Sequence, residues 1–303
     1  MRVELQQVDK RFGAVHALRQ VSLDIPSGRA VALVGPNGSG KSTLSRAVMG
    51  LVGVAGAIRF DGEPRHAALA GRLAYVPQIA PQLAAPVREL VQMVCSVRGA
   101  APDAVADLAR ALDLDLAAVA KQGFKNLSGG MKQKLLVALA LAPGADLLLM
   151  DEPTASLDAT ARGRFFEVFA ERRAGATLIL TSHRLEEIRH LVDHVVALQD
   201  GAVIYDGPAS AYLAEREQSL IELLVAPEAD TTWLGARGFH PGASGWWVKV
   251  VGREEKLATL PEVVTRLAGR LENIVVRDFE RLDPHREPAP GPHPSPEGAH
   301  HAP

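Results

Sequence analysis

The chain has 303 residues, 47% hydrophobic and 22% charged, enough apolar material for one large domain with a small extension and too much for a disordered chain. Lys and Arg number 33 against 35 Asp and Glu, a net charge of −2, so no positive excess marks a nucleic-acid or anionic-lipid binder. Its single cysteine, Cys95, excludes an internal disulfide framework or cysteine-based metal site, suits a reducing compartment and reads as buried packing.

The opening residues MRVELQQVDKRFG alternate polar and apolar and lack the pattern of a secretory signal. Val3 to Val8 and Val21 to Ile25 predict flanking antiparallel strands. Ala30 to Val34, Leu73 to Val76, Leu147 to Met150 and Thr177 to Thr181 are short apolar runs between helical patterns, as in a parallel sheet covered on both faces. Between residues 83 and 123 the strand signal disappears, and Val87 to Val97 and Ala104 to Leu112 predict a helical insertion. The longest apolar stretch, Leu135 to Met150, is broken by Pro143, Gly144 and Asp146, so no membrane span is expected. Val195 to Leu198 and Ala202 to Tyr205 predict a hairpin through Gln199, Asp200 and Gly201.

A helix is expected over Ser210 to Val225, followed by a Gly- and Pro-rich connection that places a domain boundary near residue 227. Beyond it, Trp246 to Val251, Glu254 to Leu267 and Glu272 to Arg277 read as strand, helix and strand. Trp246, Val248 and Val250 share one face of the strand and Val263, Val264 and Leu267 lie on the helix, an apolar pattern expected to fold and pack. Pro284 to Pro303 holds seven prolines and four histidines, the composition of a disordered tail.

Two motifs carry chemistry. Gly35, Pro36, Asn37, Gly38, Ser39, Gly40, Lys41, Ser42 and Thr43 stand between the strand Ala30 to Val34 and a helix through Leu44 to Met49, the setting of a phosphate-binding loop. Glycines let backbone N–H groups curl around a phosphate, Lys41 supplies a point charge, and the Ser42 hydroxyl is placed for Mg2+. The strand Leu147 to Met150 then ends in Asp151 and Glu152. Asp151 can reach Mg2+ through water, and Glu152 can orient and deprotonate an attacking water. None of the asparagines, Asn37, Asn126 and Asn273, is followed by Lys, so the Asn-Lys-x-Asp reader of guanine is absent.

Leu127, Ser128, Gly129, Gly130, Met131, Lys132, Gln133 and Lys134 resemble the signature motif of ATP-binding-cassette (ABC) ATPases. The resemblance runs from about Val3 to Val225. It implies an α/β P-loop ABC cassette with an antiparallel β subdomain and a helical insertion at about 83–140, occupying residues 1–226. A small C-terminal α/β lobe would follow at 227–283, then the tail at 284–303. By the same resemblance Phe12 stacks adenine, Gln78 is the Q-loop sensor touching Mg2+, Ser156, Leu157 and Asp158 form the D-loop, and His183 is the switch histidine. Ser128, Gly129, Gly130 and Asp158 would contact the nucleotide across a head-to-tail homodimer that binds ATP and Mg2+. The family implies a separate permease, engaged by Ile79 to Arg88 through apolar Ile79, Leu83 and Val87, with no nucleic-acid partner. The chain would then lie peripherally on the cytoplasmic face of the inner membrane. Met131, where many members have Gln, is similar to ABC-2 type exporters, a group that includes the ATPase of the nitrous oxide reductase maturation system. A soluble ABC ATPase acting on a non-transport complex is the alternative.

Overall fold

A computed structural model describes residues 1–66, 69, 71–173, 175–227 and 229–280. The chain divides into two compact units, Met1–Leu213 and the residues from Ala214 onward.

In the first unit, β3 (Ala30–Val34), β7 (Leu147–Asp151) and β8 (Thr177–Thr181) are buried at every residue. Covered on both faces, such strands need apolar side chains on both, which is why they read as unbroken runs. Together with β6 (Leu73–Val76), β9 (His194–Gln199) and β10 (Ala202–Pro208) they form a six-stranded sheet ordered β10-β9-β3-β8-β7-β6. All neighbours are parallel except the edge hairpin β9-β10. The parallel run brings the C-terminal ends of β3, β6, β7 and β8 to one edge, so the loops that follow them share a side.

Alternate residues of these strands enter different cores. Val31, Leu33, Leu147, Leu149 and Ile179 pack with α1 (Lys41–Val48) and a four-stranded antiparallel sheet. Leu148, Met150, Leu178 and Leu180 pack on the helices of the insertion and on α6 (Ala159–Arg172). The antiparallel sheet, ordered β2-β1-β4-β5, comprises β1 (Val3–Phe12), β2 (Val15–Ile25), β4 (Ala55–Phe60) and β5 (Glu63–Pro64). The insertion holds α2 (Val87–Arg98), α3 (Pro102–Ala111), α4 (Leu116–Val119) and α5 (Gly129–Leu141). Cys95 is buried on α2, and burial raises its thiol pKa. The expected cassette with its antiparallel subdomain and helical insertion is the fold observed.

Two expectations about the C-terminal region are corrected. The helix expected from Ser210 does not reach Val225: α8 (Ala209–Arg216) is short, and Glu217–Val225 is strand β11. The Leu- and Glu-rich segment has good helix propensity, but pairing with strands on both sides overrides it. Because β11 is a central strand of the second unit, the division falls after Leu213 and not near 227.

The second unit runs β11, α9 (Thr232–Ala236), β12 (His240–Pro241), β13 (Trp246–Gly252), α10 (Arg253–Arg266), β14 (Leu271–Glu280), with sheet order β12-β13-β11-β14. All its pairings are antiparallel, the βαββαβ arrangement of ferredoxin-like domains. Ile221, Leu223, Val251, Leu234, Val263 and Leu267 form its core. Trp246, Val248 and Val250 share one face of β13, opposite the one that brings Val251 to this core; Val250 is exposed, and Val264 points outward. The tail at 284–303 and the lobe's expected end at Asp283 lie outside the described residues.

Candidate functional site

The phosphate-binding loop leaves β3 through Gly35 and enters α1 through Gly40. Gly35 has φ 140°, and a Cβ there would stand 2.1 Å from the Leu198 carbonyl oxygen; Gly40 has φ 106°, with a Cβ 2.5 Å from the Ala17 carbonyl oxygen. Only glycine fits either position. Lys41 folds back into the loop, its Nζ donating to the carbonyls of Gly35 at 2.7 Å and Pro36 at 3.0 Å. Half-burial lowers the pKa of this ammonium, while the negative charges of Glu152 and Asp151 oppose the shift. Ser39 Oγ is buried without a hydrogen-bond partner. Pro36, Asn37 and Gly38 are exposed, and Ser42 and Thr43 are half-buried in the first turn of α1. A glycine-rich loop, a folded-back ammonium and an orphaned hydroxyl fit an anion such as a phosphate chain.

At the end of β7 the two carboxylates part. Asp151 accepts a hydrogen bond from Thr181 Oγ1 on neighbouring β8. Glu152 continues the ladder, its N–H donating to the Thr181 carbonyl at 2.9 Å, then turns the chain with φ 50°. That left-handed conformation is uncommon outside glycine and costs on the order of 1 kcal/mol or more. Glu152 Oε1 lies 2.7 Å from Nδ1 of His183, in the loop after β8, while Oε2 is buried with no partner. The His183 side chain is 60% exposed. The geometry sets one carboxylate oxygen on a histidine and leaves the other free to accept a proton.

The remaining expected residues are more dispersed. Gln78 stands exposed two residues beyond β6, and Phe12 is 50% exposed at the end of β1 with Lys10 Nζ 4.9 Å from its ring centroid. Ser128 caps α5, its Oγ accepting from the Met131 N–H at 3.2 Å; Gly129 and Gly130 abut Ser156 and Leu157. Asp158 caps α6 through the Ala161 N–H at 2.8 Å. Of the apolar residues expected to meet a partner, Ile79 is 81% and Leu83 37% exposed, but Val87 is wholly buried in the helical core. Its place in the contact is therefore corrected: the first turn of α2 closes the insertion's own interior.

Sequence reading missed three residues. Thr181 holds Asp151, and Thr154 and Glu187 are buried partners of one another. Thr181 was legible only as the end of an apolar strand. Nothing in the spacing of Thr154 and Glu187, on different elements, announces their contact.

A sequence model of the ABC transporter family matches residues 18–155. The chain is 32% identical over 263 residues to the phosphonates import ATP-binding protein PhnC of Caulobacter vibrioides, covering 77% of this chain and 97% of that one. It is 31% identical to the lantibiotic transport ATP-binding protein SrtF of Streptococcus pyogenes, with 73% and 98% covered. It is 34% identical to the Nod factor export ATP-binding protein I of Burkholderia lata, with 70% and 72% covered. A solved ATP-binding subunit of an ABC transporter superposes with a TM-score of 0.62 at 26% identity, over 71% of this chain and 93% of that one. The dimeric bacterial cassette MJ0796 shares the fold, with a TM-score of 0.61, 23% identity and coverage of 68% and 98%.

Proposed function

This chain belongs to the ABC transporter family as an ATP-binding, ATP-hydrolysing subunit, and we propose that it drives a separate membrane permease through ATP-dependent closure of two cassettes. The observation that carries the reading is the Glu152–His183 pair, at the same sheet edge as the phosphate loop and with Glu152 Oε2 unpartnered. On nucleotide binding Lys41 exchanges the Gly35 and Pro36 carbonyls for phosphate oxygens, and backbone N–H groups of residues 37–43 bind the rest of the chain of phosphates. Ser42, Gln78 and, through water, Asp151 would hold Mg2+, whose charge offsets that of the phosphates. Glu152 takes the proton of the attacking water, His183 binds the γ-phosphate and keeps Glu152 oriented, and Gln78 senses the occupied site.

Ser128, Gly129 and Gly130, with Asp158, are read as the surface that covers the nucleotide of a second copy. The absence of side chains on Gly129 and Gly130 in the first turn of α5 supports this, since the N-terminus of a helix favours an anion. Phe12, half-exposed at the end of its strand, suits adenine stacking. Among the described residues no helix is long and apolar enough to cross a membrane, which supports permease subunits on other chains and a peripheral place on the cytoplasmic membrane face. Ile79 and Leu83 are their proposed contact. Met131 in the signature favours export of the ABC-2 type; the more particular likeness to the nitrous oxide reductase system draws support from no residue of the site.

The test is Glu152→Gln. Losing a general base should lower turnover about 100- to 10,000-fold while ATP affinity holds and the closed dimer accumulates in light scattering. Lys41→Ala should instead weaken nucleotide binding. Hydrolysis by Glu152→Gln at the wild-type rate removes the base assignment.

A further inference from the structure

One buried carboxyl has no part in the reaction described above. Glu187, on α7 (Leu185–Leu191), is 0% exposed, deeper than Asp151 or Glu152. Its Oε1 accepts from Thr154 Oγ1, also wholly buried. The Ser182 hydroxyl faces the same carboxyl more loosely, Oε2 having no close hydrogen-bond partner. Thr154 lies two residues after Glu152, and Ser182 is the residue before His183. One side chain therefore hydrogen-bonds the loop of Glu152 through Thr154 while standing on the helix that directly follows the loop of His183.

Those loops require a brace. Glu152 is held with φ 50°, a conformation that persists only where surrounding contacts over-determine it. The ladder bond from the Glu152 N–H to Thr181 fixes the turn on one side. On the other side the Ala155 N–H returns to the Glu152 carbonyl at 3.1 Å, and Thr154 is anchored through Glu187. Keeping a carboxyl so deep is itself unfavourable: burial raises the Glu187 pKa, with the nearby Glu152 charge acting the same way, against the Ser182 hydroxyl, the hydrogen bond from Thr154 and the charge of Arg184. An apolar residue would fill the space at less cost, unless the polar contacts serve the turn.

We propose that Glu187 is a positioning residue for ATP hydrolysis, tying Thr154 to the segment of Ser182 so that Glu152 keeps its left-handed backbone and its contact with His183. The inference rests on the assignment of Glu152 as the base.

The experiment measures kcat, ATP KM and equilibrium ATP affinity for Glu187→Ala, Thr154→Ala, the double variant and Glu187→Gln in the full chain, with Glu152→Gln alongside and a thermal melt of each. Misplacement of a base by about 1 Å costs on the order of 100-fold, so Glu187→Ala and Thr154→Ala should each lose about 10- to 100-fold in kcat with affinity within about twofold. The double variant should be no slower than the worse single one, because the two residues act as a unit. Glu187→Gln, whose amide oxygen still accepts from Thr154, should recover most of the rate. Wild-type turnover of Glu187→Ala, additive losses, or a fall in affinity matching the fall in kcat would overturn the proposal. If Glu187→Ala shows no cooperative melt, Thr154→Val and Glu187→Gln decide it by the same kcat-against-affinity split. An inactive Glu152→Gln beside a fully active Glu187→Ala sinks this inference alone, whereas an active Glu152→Gln sinks the base assignment beneath it.

Discussion

Replacing Gly35 by alanine tests whether the phosphate loop is held by sterics at its entry, and Gly38 supplies the control. Both have positive φ, 140° and 84°, so both substitutions carry backbone strain of about 1–3 kcal/mol. They differ in space. A Cβ on Gly38 meets nothing within 4 Å, whereas one on Gly35 lies 2.1 Å from the Leu198 carbonyl oxygen and 2.9 Å from Ser39 Oγ. Leu198 is buried in β9 and paired to Val203, so its backbone cannot retreat without breaking the hairpin. Overpacking of that kind adds roughly 1–3 kcal/mol, giving about 2–6 kcal/mol for Gly35→Ala. For a unit of this size that is a fall in Tm of about 4–24 °C, against about 2–12 °C for Gly38→Ala. Differential scanning calorimetry of the nucleotide-free chain reads the difference. Gly35→Ala melting within a degree or two of Gly38→Ala would refute the steric reasoning.

The other predictions concern assembly, pH and domain limits. Ser128→Arg should leave nucleotide binding intact yet prevent the ATP-dependent dimer of the Glu152→Gln background in light scattering, since a bulky cation replaces the small cap of α5. Because the folded-state pKa of Glu187 is raised, the native state holds the proton longer than the unfolded chain. Stability from this group is full below the unfolded value near 4.5 and is lost as pH rises through the folded value. The Tm of Glu187→Gln relative to wild type should accordingly improve from pH 4.5 upward, and a flat difference would contradict the burial argument. A chain ending at Arg216 should bind ATP and remain dispersed. One ending at Ala226 should aggregate, because it keeps β11 with Ile221 and Leu223 stripped of their core; equal solubility of the two would place the division elsewhere.

The nucleotide site was legible because its strands announce themselves. Ala30 to Val34, Leu147 to Met150 and Thr177 to Thr181 are apolar on both faces, and each is followed directly by the polar residues that do chemistry. Phase was not legible where apolar residues occupy both faces of a sheet. In β13 the one strongly polar side chain, Lys249, lies on the core side. There its ammonium meets Glu255 at 2.6 Å and the Arg237 carbonyl and sits 5.7 Å from the Phe239 ring centroid. Counting Lys249 as outward would turn Trp246, Val248 and Val250 toward the core, the opposite of the face they take. In β4 the run Ala55 to Phe60 has only two strong strand formers, and Gly56 adopts φ 83° beneath the Gln7 carbonyl. Pairing with β1 makes it a strand, not its own preference.

The position of β3 in the sheet also sets when the protein can acquire its nucleotide site. β3 lies between β8 and β9, and both are encoded after the entire helical insertion. At ordinary rates of translation the ribosome needs on the order of ten seconds to travel from Val34 to Thr177. During that interval the nascent chain carries the complete phosphate-loop sequence on a strand whose five residues are destined to be buried and whose partners do not yet exist. A chain stalled before Thr177 thus displays the motif without its fold and offers Ala30–Val34 to chaperones or to other nascent chains.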